Sequence, residues 1–229
     1  DVPAGVKGTD VVTLTVTATT HPDKPVWNTD IVMIGAWTPP DVEEHQWLPV
    51  ASHGIGSNKS QWRTDLGLLN TGDYPSTAEL RFHLPTGVLT RTQTVAPREQ
   101  LILTDVVNSF GSAAGMVPTA TGTAALEVVA SRPLKVSSRT YTLVDSAAAC
   151  SPRGTFGQGY DATTSEAALS AGQVAWLTQL TENAAYRTNI SLTNTGTVPA
   201  GVTVGLLNGA GVQIGTYQVP LAPGEYKQE

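Results

Sequence analysis

The chain has 229 residues, a formal net charge of −6 and only 14% charged residues, with 22 Gly and 15 Pro. Its 40% hydrophobic content and the lack of a long charge run exclude disorder, and the scarcity of basic clusters argues against nucleic acid, whose binding is dominated by Lys and Arg contacts to phosphate. No apolar stretch approaches the ~20 residues of a membrane span, and the single cysteine, Cys150, excludes both an internal disulfide framework and a Cys-based zinc site.

The first readable element is Val11–Thr19, where apolar and Thr positions alternate as in a half-buried strand. The His21-Pro-Asp-Lys-Pro25 cluster supplies turn chemistry after it, and a second extended run, Ile31–Ile34, stops at Gly35. Thr38-Pro39-Pro40 opens a semi-rigid linker read over residues 38–46.

Beyond the linker the chain repeats itself. Trp62-Arg-Thr-Asp-Leu-Gly-Leu-Leu-Asn-Thr-Gly-Asp-Tyr-Pro75 and Tyr186-Arg-Thr-Asn-Ile-Ser-Leu-Thr-Asn-Thr-Gly-Thr-Val-Pro199 align at a constant offset of 124. Ala96-Pro97-Arg98-Glu99 matches Ala222-Pro223-Gly224-Glu225 at 126, and Trp47-Leu48 matches Trp176-Leu177 at 129. Side chains on a strand alternate between faces, so Trp62, Thr64, Leu66, Leu68 and Asn70 form the core face, as do Tyr186, Thr188, Ile190, Leu192 and Asn194. By the same alignment Trp47 and Trp176 are expected on the core side, while Arg63 with Asp65, and Arg187 with Asn189, lie on the opposite face. Asn-Thr-Gly ends each strand, because Asn and Gly tolerate the left-handed turn conformation.

Thr77–Leu84 and Val88–Val95 alternate again, as do Gly201–Leu207 and Val212–Val219, so each copy is a meander of short antiparallel strands. Thr104 can cap a short helix near 104–110, with Val106, Val107 and Phe110 at helical spacing and Gly111 as its stop. Thr123–Ala130 and Leu134–Leu143 add two strands to the first copy that have no counterpart in the second. The second copy is therefore either cut short or completed from elsewhere, and Gly8–Leu14 is a faint match to Gly122–Val128. An unfinished sheet exposes a strand edge, which implies an edge-strand dimer or disorder of the second copy.

The run from Asn194-Thr-Gly-Thr-Val-Pro-Ala200 to Leu221-Ala-Pro-Gly-Glu225 resembles bacterial immunoglobulin-like modules of the CARDB and related groups. The longer unit, from Trp47-Leu48-Pro49 through Trp62-Arg-Thr-Asp65 and Ser138-Arg-Thr-Tyr141 to Gly154-Thr-Phe-Gly-Gln158, is similar to tandem repeats of large secreted bacterial proteins that accompany PKD-type modules and peptidase domains. Val11–Thr19 is similar to the last strand of a PKD-type domain. The resemblance implies an all-β fold of tandem immunoglobulin-like antiparallel β-sandwiches and an extracellular or cell-surface address. The organisation expected is an N-terminal strand segment over 1–37, the remnant of a preceding module; a linker over 38–46; a first repeat over 47–160; a second linker over 161–172; and an incomplete second repeat over 173–229.

No motif carries chemistry. His21, His45, His53 and His83 lack metal-ligand spacing, and no Asp-rich calcium loop or Gly-rich phosphate loop is present. Isolated acids near turns, Asp73, Asp145 and Asp161, leave structural Ca2+ as the sole ion to consider, and no cofactor is implied. His53-Gly-Ile-Gly-Ser57 has the residue types of a hydrolase but neither a GxSxG elbow nor a third member. Candidate binding residues are the duplicated Arg63, Asp65, Arg187 and Asn189, and the aromatics Trp27 and Trp37, which lie off the repeat's core face. The expectation is a non-catalytic structural or accessory module whose partners are neighbouring domains of its own polypeptide, with a polysaccharide- or surface-protein-binding accessory domain as the alternative and a processed piece of a peptidase precursor as a minor one.

Overall fold

The computed structural model describes residues 41–56, 59–112, 121–143, 154–178, 180–181, 183 and 188–229. The chain divides between Asp41 and Val42 into two units, and the description concerns the second. Val11–Thr19, Ile31–Ile34, Trp27, Trp37, Ser57, Asp145, Cys150 and Arg187 lie outside the described residues.

The unit is mostly β. Strands β1 (Glu44–Ile55), β2 (Gln61–Leu69), β3 (Ser76–Leu84), β4 (Gly87–Val95) and β5 (Gln100–Leu103) precede the helix α1 (Val106–Ser112). After it come β6 (Gly122–Ala130), β7 (Lys135–Leu143), β8 (Thr155–Asp161) and β9 (Thr163–Thr164). All pairings are antiparallel, in the order β4-β3-β6-β1-β2-β7-β8, with β9 on β1 and β5 on β2. β1 belongs to both halves of this path: His45–His53 runs along β6, and Gly54–Ile55 crosses to β2.

Both halves feed one core. Leu66 and Leu68 of β2 and Val136 of β7 meet Leu80 and Phe82 of β3 and Leu126 and Val128 of β6. Val106, Val107 and Phe110 of α1 join them, with Phe110 stacked 5.8 Å from Phe82. Each such fully buried side chain contributes about 1.5–3 kcal/mol, so this cluster holds the strands together. The alternation expected for 62–70 is met from Thr64 on, with Thr64, Leu66, Leu68 and Asn70 buried and Arg63 and Asp65 facing the other way; Trp62, expected on the core face, is only half-buried.

The helix starts two residues after its expected cap, Thr104, and runs through its expected stop, Gly111, to Ser112. Asp105 sits before it with φ +47° and spends its carboxylate elsewhere. Glu44–Gln46, read as linker, already pairs with β6, and Thr163–Thr164, inside the second expected linker, pairs with Gln46–Trp47. β1 had been hidden because its alternation breaks at Pro49-Val50. Those two residues oppose Ala125 alone, a bulge that accommodates a residue without an N–H. β8 was obscured by Gly157, where a Cβ would lie 2.5 Å from Tyr141 Cβ; close approach to β7 demands glycine there.

The second segment contains β10 (Ser191–Thr193), β11 (Ala200–Leu207), β12 (Gln213–Leu221) and β13 (Tyr226–Gln228), paired β10 with β13 and β11 with β12. Its registers reproduce the first segment's: Leu68↔Leu101 becomes Leu192↔Lys227, and Ser76↔Val95 becomes Ala200↔Leu221. The Asn corners match bond for bond. Asn70 Oδ1 accepts from Gly72 N (2.9 Å) while Nδ2 donates to Tyr74 O (2.8 Å) and Val95 O (3.1 Å). Asn194 Oδ1 accepts from Gly196 N (2.9 Å), and its Nδ2 donates to Val198 O (2.8 Å) and Leu221 O (3.3 Å). Backbone bonds Asn70 N to Glu99 O and Asn194 N to Glu225 O close both corners, at 2.9 and 3.0 Å.

The expected placement of the tryptophans does not hold. Trp176 is 73% exposed and in no strand. Trp47 is buried, but against His83 (4.9 Å between ring centroids) and with its Nε1 donating to Ser165 Oγ, outside the apolar cluster.

Candidate functional site

Three groupings of polar side chains stand out from the scaffold. The first is built where, among the described residues, part of one edge of β2 has no strand beside it. The tip of β1 pairs with residues 61–62 and β5 with residues 66–69, leaving 63–65 between them. Asp105 fills the gap. Its backbone N donates to Asp65 Oδ1 (2.9 Å), and its carboxylate accepts from His53 Nδ1 (2.8 and 2.9 Å) and faces Arg63 Nε at 3.3 Å. Tyr141 OH donates to Asp65 at 3.3 Å, and burial, then the Asp65 charge, pushes the Tyr141 hydroxyl pKa up. The sequence candidates Arg63 and Asp65 are thus gathered with two residues not assigned a site role, Asp105 and Tyr141, and with His53.

With Nδ1 donating, a neutral His53 carries its lone pair on Nε2, the arrangement of a general base oriented by a carboxylate. Among the described residues no nucleophile is hydrogen-bonded to it: the His53 ring bonds Asp105, and the neighbouring Ser52 hydroxyl is engaged with Thr123 Oγ1 at 2.7 Å.

The second grouping surrounds Glu127, 4% exposed, on the face of β6 away from the core. His45 Nδ1 donates to Oε1 (2.6 Å) and His83 Nε2 to Oε2 (2.9 Å), with Arg81 Nη1 3.7 Å away. Burial acts to raise the Glu127 pKa, but the two histidine bonds and the Arg81 charge outweigh it and hold the carboxyl below its ordinary value. Gly224 of the second segment is packed on His83: a Cβ there would come within 2.6 Å of Nδ1. A lone Glu in the apolar run Ala124-Ala-Leu-Glu-Val-Val-Ala130 was the available signal for this cluster.

The third is a cleft of about 530 Å3 where β1, β2, β6 and β8 meet the second segment. Trp62, Tyr160 and Tyr226 supply aromatic surface, and Ser191, Asn189 and Gln228 supply neutral hydroxyl and amide groups. Burial, then the neighbouring Tyr226, pushes the Tyr160 hydroxyl pKa up. Of the candidates in the second copy, only Asn189 reaches this cleft among the described residues.

Asp73 is held by Arg98 at 2.7 Å, and Asp161 lies on β8 opposite Ser137. Among the described residues no group of three or more His, Cys, Asp or Glu is arranged to hold a metal ion, and no helix is long and apolar enough to cross a membrane.

No protein-family model matches this chain, and no curated protein does. A solved structure, described as the crystal structure of Thermotoga maritima 1070, is similar over 55% of this chain and 97% of its own, at 10% identity and a TM-score of 0.39. A likeness that slight carries no argument about fold or function.

Proposed function

We propose that this chain is a non-catalytic structural module of a secreted or cell-surface bacterial protein, built from immunoglobulin-like β-sandwich repeats, that spaces and presents neighbouring domains of the same polypeptide. The observation that carries the reading is the duplicated Asn corner, with the same three side-chain bonds at Asn70 and Asn194. What the chain visibly repeats is scaffold, whereas His53, Asp105 and the Glu127 cluster are occupied in joining strands and segments. The extracellular address rests on the sequence resemblance. Peptide, ester and glycoside substrates should show no turnover that depends on His53; hydrolysis abolished by His53→Ala would overturn the proposal.

A second reading, a carbohydrate-binding accessory domain, is favoured by the cleft. Aromatic faces stack on sugar rings, and hydroxyl and amide groups match their hydroxyls. No Asp, Glu, Lys or Arg is among the described lining residues, so the chemistry fits a neutral glycan. Glycan-array binding lost with Trp62→Ala supports this reading. Binding that survives Trp62→Ala but is lost with Trp37→Ala moves the site away from the cleft, and a blank array sinks it.

A further inference from the structure

The side-chain geometry of the two Asn corners occurs a third time, at the tip of the β11–β12 hairpin. Asn208 Oδ1 accepts from Ala210 N and Val212 N, both at 3.0 Å, as Asn70 Oδ1 and Asn194 Oδ1 accept from Gly72 N and Gly196 N at 2.9 Å. The amide nitrogens are used differently. Asn70 Nδ2 donates to Tyr74 O and Val95 O, and Asn194 Nδ2 to Val198 O and Leu221 O. At the hairpin tip, among the described residues, no carbonyl accepts from Asn208 Nδ2 and none from Gly209 N.

The residue that follows each asparagine differs as well. Thr71 and Thr195 follow the corner residues, whereas Asn208 is the one asparagine of the chain that precedes a glycine. A Cβ narrows the backbone conformations open to a residue and crowds its own peptide nitrogen, and glycine does neither. The space around Gly209 is open, since a Cβ built there would meet nothing within 4 Å.

The geometry points to Asn208-Gly209 as a self-modifying site, at which the asparagine converts to isoaspartate and aspartate with water as the only co-reactant. Gly209 N attacks Cγ of Asn208 and gives up its proton. The new N–C bond closes a succinimide ring, the Cγ–Nδ2 bond breaks, and ammonia leaves carrying that proton. Water then opens the ring at Cγ, which gives aspartate, or at the α-carbonyl, which gives isoaspartate with the backbone running through Cβ; nothing is oxidised or reduced. Each local feature serves a step. The two N–H donors on Oδ1 stabilise the negative charge that builds there as the nitrogen adds. The departing amide is held by no carbonyl among the described residues, and no side chain crowds the attacking nitrogen. At Asn70 and Asn194 two hydrogen bonds must break before Nδ2 can leave, and a threonine shields the nitrogen that would attack.

The products differ from the starting hairpin in charge and in length. A carboxylate enters the stretch 188–224, which holds no Asp, Glu, Lys or Arg. Isoaspartate also adds one backbone atom to a turn closed by Asn208 N to Val212 O and Gly211 N to Asn208 O, each at 2.9 Å. The reaction is independent of the function proposed above, because it is read as a covalent change and neither as binding nor as turnover.

The test is peptide mapping by mass spectrometry of the full chain aged at neutral pH, with isoaspartate counted by methyl transfer from a protein-isoaspartate methyltransferase. The Asn208 peptide should gain about 1 Da as NH is replaced by O, and should split into two isomers. Asn70 and Asn194 should keep their amides over the same period. Gly209 has no left-handed φ and open space around it, so alanine fits there without harm to the fold. Gly209→Ala should slow the conversion by about tenfold or more, because its Cβ crowds the attacking nitrogen. Three results would each overturn the proposal: an Asn208 that keeps its amide for as long as the urea-unfolded chain takes to lose it, conversion at Asn70 or Asn194 as fast as at Asn208, or a rate unmoved by Gly209→Ala.

Discussion

Replacing Asn70 or Asn194 by alanine removes the same three hydrogen bonds from two places in one chain. At Asn70 the bonds span 2.8–3.1 Å, the side chain is 1% exposed, and one acceptor, Val95 O, is buried with it. Each bond contributes about 1 kcal/mol net, and a buried carbonyl left unpaired adds to the loss. Asn70→Ala should therefore cost about 3–4 kcal/mol in urea unfolding followed by tryptophan fluorescence. Asn194 is also buried, at 8% exposed, but its third bond is longer, 3.3 Å, and residues 196–201 beside it are exposed, so water can replace part of what is lost. Asn194→Ala should cost about 1 kcal/mol or less in the global transition and instead speed hydrogen exchange in β10–β13. A loss at Asn70 below about 1 kcal/mol, or equal global losses at both sites, would refute the argument that identical corners acquire their worth from burial.

Three further outcomes follow from the site chemistry. Glu127, held below its ordinary pKa of 4.5, stabilises the fold above that value and loses the contribution as pH falls through its folded pKa, so urea midpoints should drop on acidification and Glu127→Gln should flatten that limb. Tyr141 and Tyr160, pushed up chiefly by burial, contribute stability that is present below about pH 10 and lost as pH rises through their folded values; phenolate absorbance should show late-titrating tyrosines, fewer in Tyr160→Phe. Gly224 has φ +69° and lies on His83, whereas its counterpart Arg98 holds φ +62° with only an exposed partner, Asp73. Gly224→Ala should cost about 1–2 kcal/mol from backbone strain, with added loss from displacing His83, and Arg98→Gly should stay within about 1 kcal/mol of wild type; thermal melts distinguish them.

The strands most legible in the sequence are those with a period of two. β2, β3 and β7 bury one face each, so selection for the core writes itself as alternation, while β6, buried on both faces, reads as a short apolar run instead. β1 does not alternate because it bulges at Pro49-Val50 and changes neighbours at Gly54, and β8 carries glycines where β7 comes too close for a Cβ. The polar clusters were less legible for a different reason. Asp105 matters because it fills a gap between two strands that are distant in sequence, a fact of topology that no local pattern records. Arg63 and Asp65 stand out through their place in the repeat, but their partners, Asp105 and Tyr141, are remote from them in sequence.

The second segment is anchored on the first at few points: Gly224 on His83, Thr193 Oγ1 donating to Pro49 O at 3.2 Å, and Tyr226 and Ser191 at the cleft. All of them belong to β10, β13 and the turn before β13, while among the described residues the β11–β12 hairpin makes no comparable bond. In the first segment the equivalent hairpin is locked by β6 and α1, and one of its charges, Arg81, reaches across to the buried Glu127 while pairing with Glu79.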